Sequence, residues 1–372
     1  RTDYHSNEFD RALKLQVDYL ANNLEYHILA NHLFENYVTI TVAGVALGDI
    51  ALRAKGLNGI QKELDEQILP DGAHYECSPM YHSIVLSRLL LVIDILNSHK
   101  LQNLITPQIS WKVQCMLGWL TSFQWESGRW ASVNDATTGV TLQSEELFAI
   151  AKQMGLSWKP TILKESGYRK LHNSLFEVLF DVGDISPVYQ PGHSHCDSLS
   201  ICINYLNDEL LVDTGISTYQ ETAVRLHERG TAAHNTVILN DCNQSQIWGS
   251  FRVGSRARTT IVNEQSNEIL AEHNGYKILF GVRHKRSIKI SEKCILITDW
   301  CEKVKETRFS LNMVKTAFFH FSEHTEIKMV APNTICTEKG LTFHFENAKD
   351  LHIEKYYRAI GFNLTVEAAK VR

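Results

Sequence analysis

The chain has 372 residues, 44% of them hydrophobic and 21% charged, enough to bury a sizeable core and more than one small domain needs. Its 37 basic residues against 42 acidic ones give a net charge of −5, so no global field draws in nucleic acid. The eight cysteines are scattered without a CxxC pair, which favours free thiols over a disulfide framework.

The first residue is Arg1 rather than Met, and helical spacing already runs through the first segment, so the chain is expected to be a fragment or a processed form. From Phe9 to Leu47 apolar residues recur at three- and four-residue steps, predicting two helices. Gly56 and Gly59 are read as a break, followed by a short helix over 60–69 that stops at the turn Pro70-Asp71-Gly72. Ser78 makes a good N-cap and Pro79 suits the first helical position, so another helix opens there. Helical spacing continues over 101–124 and 142–154. The longest apolar run, around 84–96, is interrupted by Ser87, Arg88 and Asp94, so no membrane span is expected.

From about Gly167 the texture changes. Short β-rich runs follow one another: LSICINYL, ELLVDTG, HNTVILN, RTTIVN, YKILFGVRH, RSIKISEKCILITDW and FSLNMV. Turn residues such as Asn207-Asp208 and Asn274-Gly275 separate them. Helices first and strands afterwards predict an α+β multidomain chain, with a helical domain over 1–160 and an antiparallel β-sandwich over 166–372.

Three clusters are candidates for chemistry. In Asn31-His32-Leu33-Phe34-Glu35, Asn31 and Glu35 are four apart and His32 and Glu35 three apart, giving one polar stripe on a largely apolar helix. The plainer reading is a hydrogen-bonded patch between packed helices. The second cluster runs from Pro70 to His82. With Ser78 as cap, Tyr81 falls in the first helical turn, where the positive end of the dipole favours a phenolate. Simple packing of Tyr81 and His82 explains the pattern as well. The third contains His193, His195 and Asp197, with Asp213 after one strand and His234 before another. His, Asp and His suit a divalent metal such as zinc. A plain hairpin at Asn207-Asp208 would leave His195 roughly 20 Å from Asp213, at about 3.3 Å per residue, so the preceding segment must fold back.

Taken together, ANHLFEN, EQILPDGAHYECSPMYH, PGHSHCDSLS, LLVDTGISTY, TAAHNTV and WGSFRVGSRAR resemble the heparinase II/III-like family, in its order, from about residue 31 to 258. The resemblance implies a helical (α/α) toroid, incomplete here, followed by a β-sandwich. It implies a lyase that cleaves uronate-containing acidic polysaccharide, such as heparan sulfate or alginate. Asn31 and His32 match the pair that faces the uronate carboxylate, Tyr81 the catalytic acid and base, and His193 the catalytic histidine. Glu35 falls where one branch carries an acidic active-site residue. His195, Asp213 and His234 match a bound-metal set, most often zinc, with a structural role. The periplasm or cell envelope is the expected location, with the cytoplasm as the alternative, and a homodimer stays open.

β-Elimination removes the proton on C5, beside the carboxylate, and expels the O4 oxygen. Donors must neutralise the carboxylate, a base must take the proton and an acid must protonate the leaving oxygen. Tyr81 and His193 must then reach one sugar. Glu35, His82, Arg225 and Arg229 are expected to bind substrate. Arg225, Arg229, Arg252, Arg256 and Arg258 form the best local basic set, although about half should be ordinary surface charges. Trp130 and Trp248 are candidates for sugar stacking or for the core. Two departures bear on the substrate: Cys77 stands where the family commonly has arginine, and Tyr219 is no clear match for the second tyrosine of alginate-cleaving relatives. The alternatives are an envelope-polysaccharide enzyme of unknown substrate and a non-catalytic glycan-binding protein.

Overall fold

The computed structural model describes residues 7–304 and 313–372. The chain divides into two compact units. A helical unit holds the residues up to Tyr75, with Tyr81–Ser122 and Thr141–Ile162; a sheet-bearing unit holds Glu76–Met80, Phe123–Val140 and the chain from Leu163 onward.

The helical segments are α1 (Asn7–Asn22), α2 (Ala30–Ala46), α3 (Ile50–Gln67), α4 (Pro79–Ser98), α5 (Pro107–Phe123) and α6 (Ser144–Gln153). Two of their starts show cap chemistry. Asp49 accepts from the Leu52 N–H at 3.0 Å, and Thr106 accepts from the Ile109 N–H at 3.2 Å ahead of α5. The expected break at Gly56 and Gly59 is absent, and α3 runs through both. A Cβ on Gly59 would lie 2.0 Å from the Tyr37 ring, and one on Gly56 would lie 2.2 Å from Thr41 Oγ1. These glycines let α2 approach α3, so a pattern that reads as a helix stop is a helix contact. α4 also departs from expectation. Its most apolar window has a mean hydropathy of 1.5, enough by length and composition to cross a membrane, yet 67% of that window is buried inside the fold. That burial is the pattern of a core helix.

In the sheet-bearing unit, β1 (Tyr168–His172), β2 (Phe176–Asp181), β3 (Ile201–Tyr205) and β4 (Asp208–Leu211) form one antiparallel sheet in chain order. Short strands β5 (Val237–Leu239), β6 (Ile247–Trp248) and β7 (Arg252–Val253) follow, after a helix α7 (Ala223–Glu228) and a 3-10 turn at Thr231–Ala233. A second four-stranded antiparallel sheet contains β8 (Thr259–Glu264), β9 (Glu268–His273), β10 (Val282–Ile290) and β11 (Ile295–Lys303). The remaining strands are β12 (Lys315–Ala317), β13 (Phe319–His320), β14 (Ile327–Ala331), β15 (Thr334–Thr337), β16 (Thr342–His344), β17 (Ile353–Gly361) and β18 (Leu364–Val371). Val178, Phe180, Ile201 and Ile203 of the first sheet share one core with Ile269, Ala271, Ile288 and Ile290 of the second, closed by Phe319, Phe321, Ile335 and Val371.

Strand β10 alternates buried and less buried residues, as a half-covered strand should, whereas every residue of β2 is buried. That is why β2 carries no alternation signal. Within YKILFGVRH the expected strand begins only at Val282. Lys277–Phe280 is a helical turn, α8, ended by Gly281 at φ 67°. Of the run FSLNMV, residues 309–312 lie outside the described residues, and Met313 and Val314 are not in a strand.

One buried charge matters for the site. Arg286 of β10 is fully buried and forks onto Asp299 of β11 through Nε and Nη2, at 2.8 and 2.9 Å. Its Nη1 donates to the carbonyls of Leu199 and Asn235. The second sheet thus grips the loop that precedes β3 and the residue that follows His234.

Candidate functional site

In the sheet-bearing unit three loops converge. His195 lies between β2 and β3, Asp213 just beyond β4, and His234 just before β5. Their candidate ligand atoms all lie within 4.8 Å of one another, and all three residues are buried. The fold-back required of the segment before β3 is therefore present. Asn235 makes it durable: its amide nitrogen donates to the carbonyls of Ile201 and Val212, at 2.8 and 2.9 Å, and its oxygen accepts from the His320 N–H. Thr236 adds a bond to the Ser198 carbonyl at 3.0 Å.

The donor set suits a divalent metal on an independent observation. Nδ1 of His195 is buried and has no hydrogen-bond partner among the described residues, while its Nε2 is bonded to Asp135 at 2.8 Å. A carboxylate on one nitrogen fixes the tautomer and leaves the other nitrogen's lone pair for an ion. Burial lowers the His195 pKa to about 4 against the pull of Asp135, so the ring is neutral near pH 7, as a ligand must be. His234 Nδ1 lies 2.7 Å from Asp213 Oδ2, and Asp213 Oδ1 accepts from the Gly215 N–H.

Asp135 and Asn134, from the segment Phe123–Val140, complete this region. Burial would raise the Asp135 pKa, but the His195 hydrogen bond and the Arg225 charge hold it well below the carboxylate range. Asn134, at φ 53°, accepts from the His195 N–H at 3.0 Å and donates to the Cys77 carbonyl and the Tyr168 hydroxyl. Ser78, expected as a cap, donates to the Asp135 carbonyl at 2.8 Å, and α4 starts at Pro79.

His193 lies at the edge of this cluster with 16% of its side chain exposed, and its Nδ1 is 3.1 Å from Oε2 of Glu76, which is 2% exposed. Burial would lower the His193 pKa, and the Glu76 charge outweighs it to raise it. The ring stacks on Tyr219 at 6.2 Å and meets the edge of Phe251 at 5.9 Å. Tyr219, with no clear role in the sequence, is thus a wall beside His193.

Arg225 and Arg229 require correction as substrate-binding residues. Both are fully buried. Arg225 is spent on Asp135 and the Ser250 carbonyl, and Arg229 on the carbonyls of Ser194, Gly249 and Ser250. They fasten the histidine-bearing loop. Of the other basic set, Arg258 pairs with Asp184 and Arg256 donates to the Val188 carbonyl. Trp130 is 5% exposed and packs in the core, while Trp248 is 50% exposed.

In the helical unit, Asn31 and His32 open α2. His32 lies 3.9 Å from Glu25. Glu35 does not pair along its own helix; Arg88 Nε holds both its oxygens, at 2.7 and 3.0 Å. Tyr81 is in the first turn of α4 and 7% exposed. His82 also requires correction: it is fully buried, accepts from the His74 N–H on Nδ1 and donates from Nε2 to the Met116 carbonyl. Burial takes its pKa to about 3, and no nitrogen is left for substrate. Glu76, Asp135 and Arg88 were not candidates in the sequence. Glu76 sat in a dense motif, but nothing local marked Asp135 or Arg88.

Comparisons with known proteins agree on one family. Residues 3–150 match Heparinase II/III N-terminus, and residues 157–370 match Heparinase II/III-like, C-terminal. A structure of a heparinase III gene product aligns at TM-score 0.76 and 16% identity, covering 98% of this chain and 60% of that one. Heparan sulfate lyase HepC from Pedobacter heparinus aligns at TM-score 0.71 and 16% identity over 98% and 60%. A further heparinase III structure aligns at 0.75 and 15% over 96% and 60%. The chain therefore spans about 60% of the length of these structures. No curated protein matches it significantly. With both family regions matched over nearly all of its length, the chain belongs to the heparinase II/III-like family.

Proposed function

We propose that this chain carries the catalytic residues of a polysaccharide lyase that cleaves uronate-containing acidic glycan by β-elimination, with heparan sulfate as the first substrate to try. The observation that carries the reading is His193, a motif histidine left partly exposed between aromatic walls while buried Glu76 holds its Nδ1. A ring serving only to pack would need no buried anion behind it. The helices belong in this reading to a toroid domain over 1–160 and the sheets to a sandwich domain over 166–372, in a protein of the periplasm or cell envelope.

Each residue has a role set by its chemistry. The Asn31 amide suits a uronate carboxylate because it donates without adding charge, and the N–H groups of His32 and of His193 are donors of the kind that developing negative charge requires. Tyr81, as phenolate, takes the C5 proton, and the resulting hydroxyl then protonates O4 as the C4–O4 bond breaks. The products are a saccharide with a free hydroxyl and one with a C4–C5 double bond, so atoms balance without a further reactant. Glu35, held by Arg88, borders the polar stripe of α2. His195, Asp213 and His234 would hold a divalent cation, zinc by donor type, whose contribution is to tie three loops together.

The test is incubation of the full-length protein with heparan sulfate, heparin and alginate, following ultraviolet absorbance of the unsaturated product. Binding of these polymers with no product from any of them would replace the lyase by a glycan-binding protein.

A further inference from the structure

We infer that Gln67 is a positioning residue that fixes the strained entry to α2 and so aims Asn31; the catalytic part of this inference rests on the reading of Asn31 given above. The starting observation is backbone geometry. Leu29 has φ 64° and ψ −152°, and Ala30 has φ 52°. The first of these conformations is essentially reserved for glycine, and two such residues in succession persist only where the surroundings enforce them. The Leu29 side chain supplies no cap to the helix. Something else must hold the turn.

Gln67 does so from the last turn of α3. Its amide nitrogen donates both hydrogens, to the Ala30 carbonyl at 2.9 Å and to Glu63 Oε2 at 2.7 Å. Its oxygen accepts from His74 Nε2 at 2.9 Å. Both hydrogens and the oxygen of the amide are engaged, so its orientation is fixed. Gln67 is 1% exposed, Glu63 8% and His74 0%. Glu63 stands one turn earlier on the same face of α3. His74 is brought back by the turn at Pro70-Asp71-Gly72, which closes with an antiparallel bridge from Ile68 to His74 and a Tyr75 N–H bond to the Gln67 carbonyl. The His74 N–H then reaches His82, and His82 reaches the Met116 carbonyl of α5. A buried polar chain drawn from α3, α4 and α5 thus ends on one carbonyl at the start of α2.

The residue after that carbonyl is Asn31. Its Oδ1 is buried without a partner among the described residues, so no bond to that oxygen fixes the direction of the amide, and its aim depends on the backbone that carries it. A small rotation about Ala30 would move that group off its target, and misplacement by about 1 Å is enough to cost catalysis heavily.

The test joins hydrogen exchange to kinetics in the full-length protein. Gln67→Met keeps volume and removes all three bonds. Gln67→Glu keeps the acceptor for His74 but sets oxygen against the Ala30 carbonyl. Glu63→Gln keeps the Ala30 bond. The expected result is at least tenfold faster amide exchange over residues 29–33 in both Gln67 variants and unchanged exchange in Glu63→Gln. Product formation should fall at least tenfold in kcat in the Gln67 variants, with KM changed little. If Gln67→Met does not fold, Gln67→Glu decides. Unchanged exchange over 29–33, or acceleration spread evenly through the helical unit, would overturn the inference, as would local release with kcat intact. Absence of product from the unaltered protein would instead remove the lyase reading, and the exchange data would still decide whether Gln67 holds the turn.

Discussion

Arg225 grips Asp135 through both terminal nitrogens, at 2.5 and 2.6 Å, and neither side chain has any exposed surface. Asp135 simultaneously takes the bond from His195. One carboxylate therefore anchors a guanidinium and a candidate metal ligand together.

Asp135→Ala should strand the Arg225 charge in the interior, at a cost of about 3–5 kcal/mol. If the His195, Asp213 and His234 group takes up a divalent cation as proposed, the same change should weaken that binding by about 10–100-fold, because His195 loses the partner that orients it. Chemical denaturation and competition with a fluorescent chelator measure the two effects separately. Stability lost with metal affinity intact would remove His195 from the ligand set.

Tyr81→Phe deletes the only group assigned to carry the proton from C5 to O4. The rate of unsaturated product should drop by about 10²–10⁴-fold. Affinity for the polymer should persist, since the ring stays where it packs. Full turnover in this variant would take Tyr81 out of the mechanism.

Acid should weaken the fold in two stages. His82, His273 and His284 are fully buried, and burial holds each below its ordinary 6.5. His273 accepts from the Gly275 N–H and bonds His284, which bonds Asp299, so neither ring has room for a second proton. Below 6.5 the unfolded chain takes up protons that the folded chain refuses, so stability is complete above that value and falls with pH. Asp299 adds the second stage. Burial would raise its pKa, but Arg286 and His284 hold it below 3.8, so its contribution is kept above that value and lost beneath it. Denaturation midpoints should decline from about pH 7 to about pH 4.5, and His273→Gln should make the slope shallower, each group contributing up to about 1.4 kcal/mol per pH unit. A flat profile would contradict this account.

Gly59→Ala offers a check on the α2–α3 contact. Alanine should gain about 0.5–1 kcal/mol in helix propensity, yet its methyl would sit 2.0 Å from the Tyr37 ring. Overpacking of about 1–3 kcal/mol should prevail, giving a net loss in denaturation experiments. A stabilised variant would mean that α2 and α3 can part easily.

What the sequence revealed depended on locality. The helix start at Pro79, the turn at Pro70-Asp71-Gly72 and strands such as β3 and β10 follow from neighbouring residues, whereas the helix expected from 101 begins only at Pro107. Family motifs supplied His195, Asp213 and His234 in the right combination, which spacing alone could not, because their meeting depends on Asn235 stitching two strand ends. Misreadings came where packing overrode pattern. Gly56 and Gly59 are contact glycines, and Arg225, Arg229 and His82 look like surface chemistry but are buried and bonded within the fold. Asp135 had no local signal, because its partners lie 60 and 90 residues away.

Glu76–Met80 and Phe123–Val140 belong with the sheets although helices surround them in the chain. Dissection by a single cut is therefore a poor strategy. A fragment starting at Leu163 would keep His193, His195 and Arg225 but forfeit Glu76, Asn134 and Asp135, their counterparts in ion pairs and hydrogen bonds. Such a truncate should be insoluble or misfolded for electrostatic reasons alone. Adding residues 76–80 and 123–140 back in trans, or by grafted linkers, is the minimum that a workable half-protein needs.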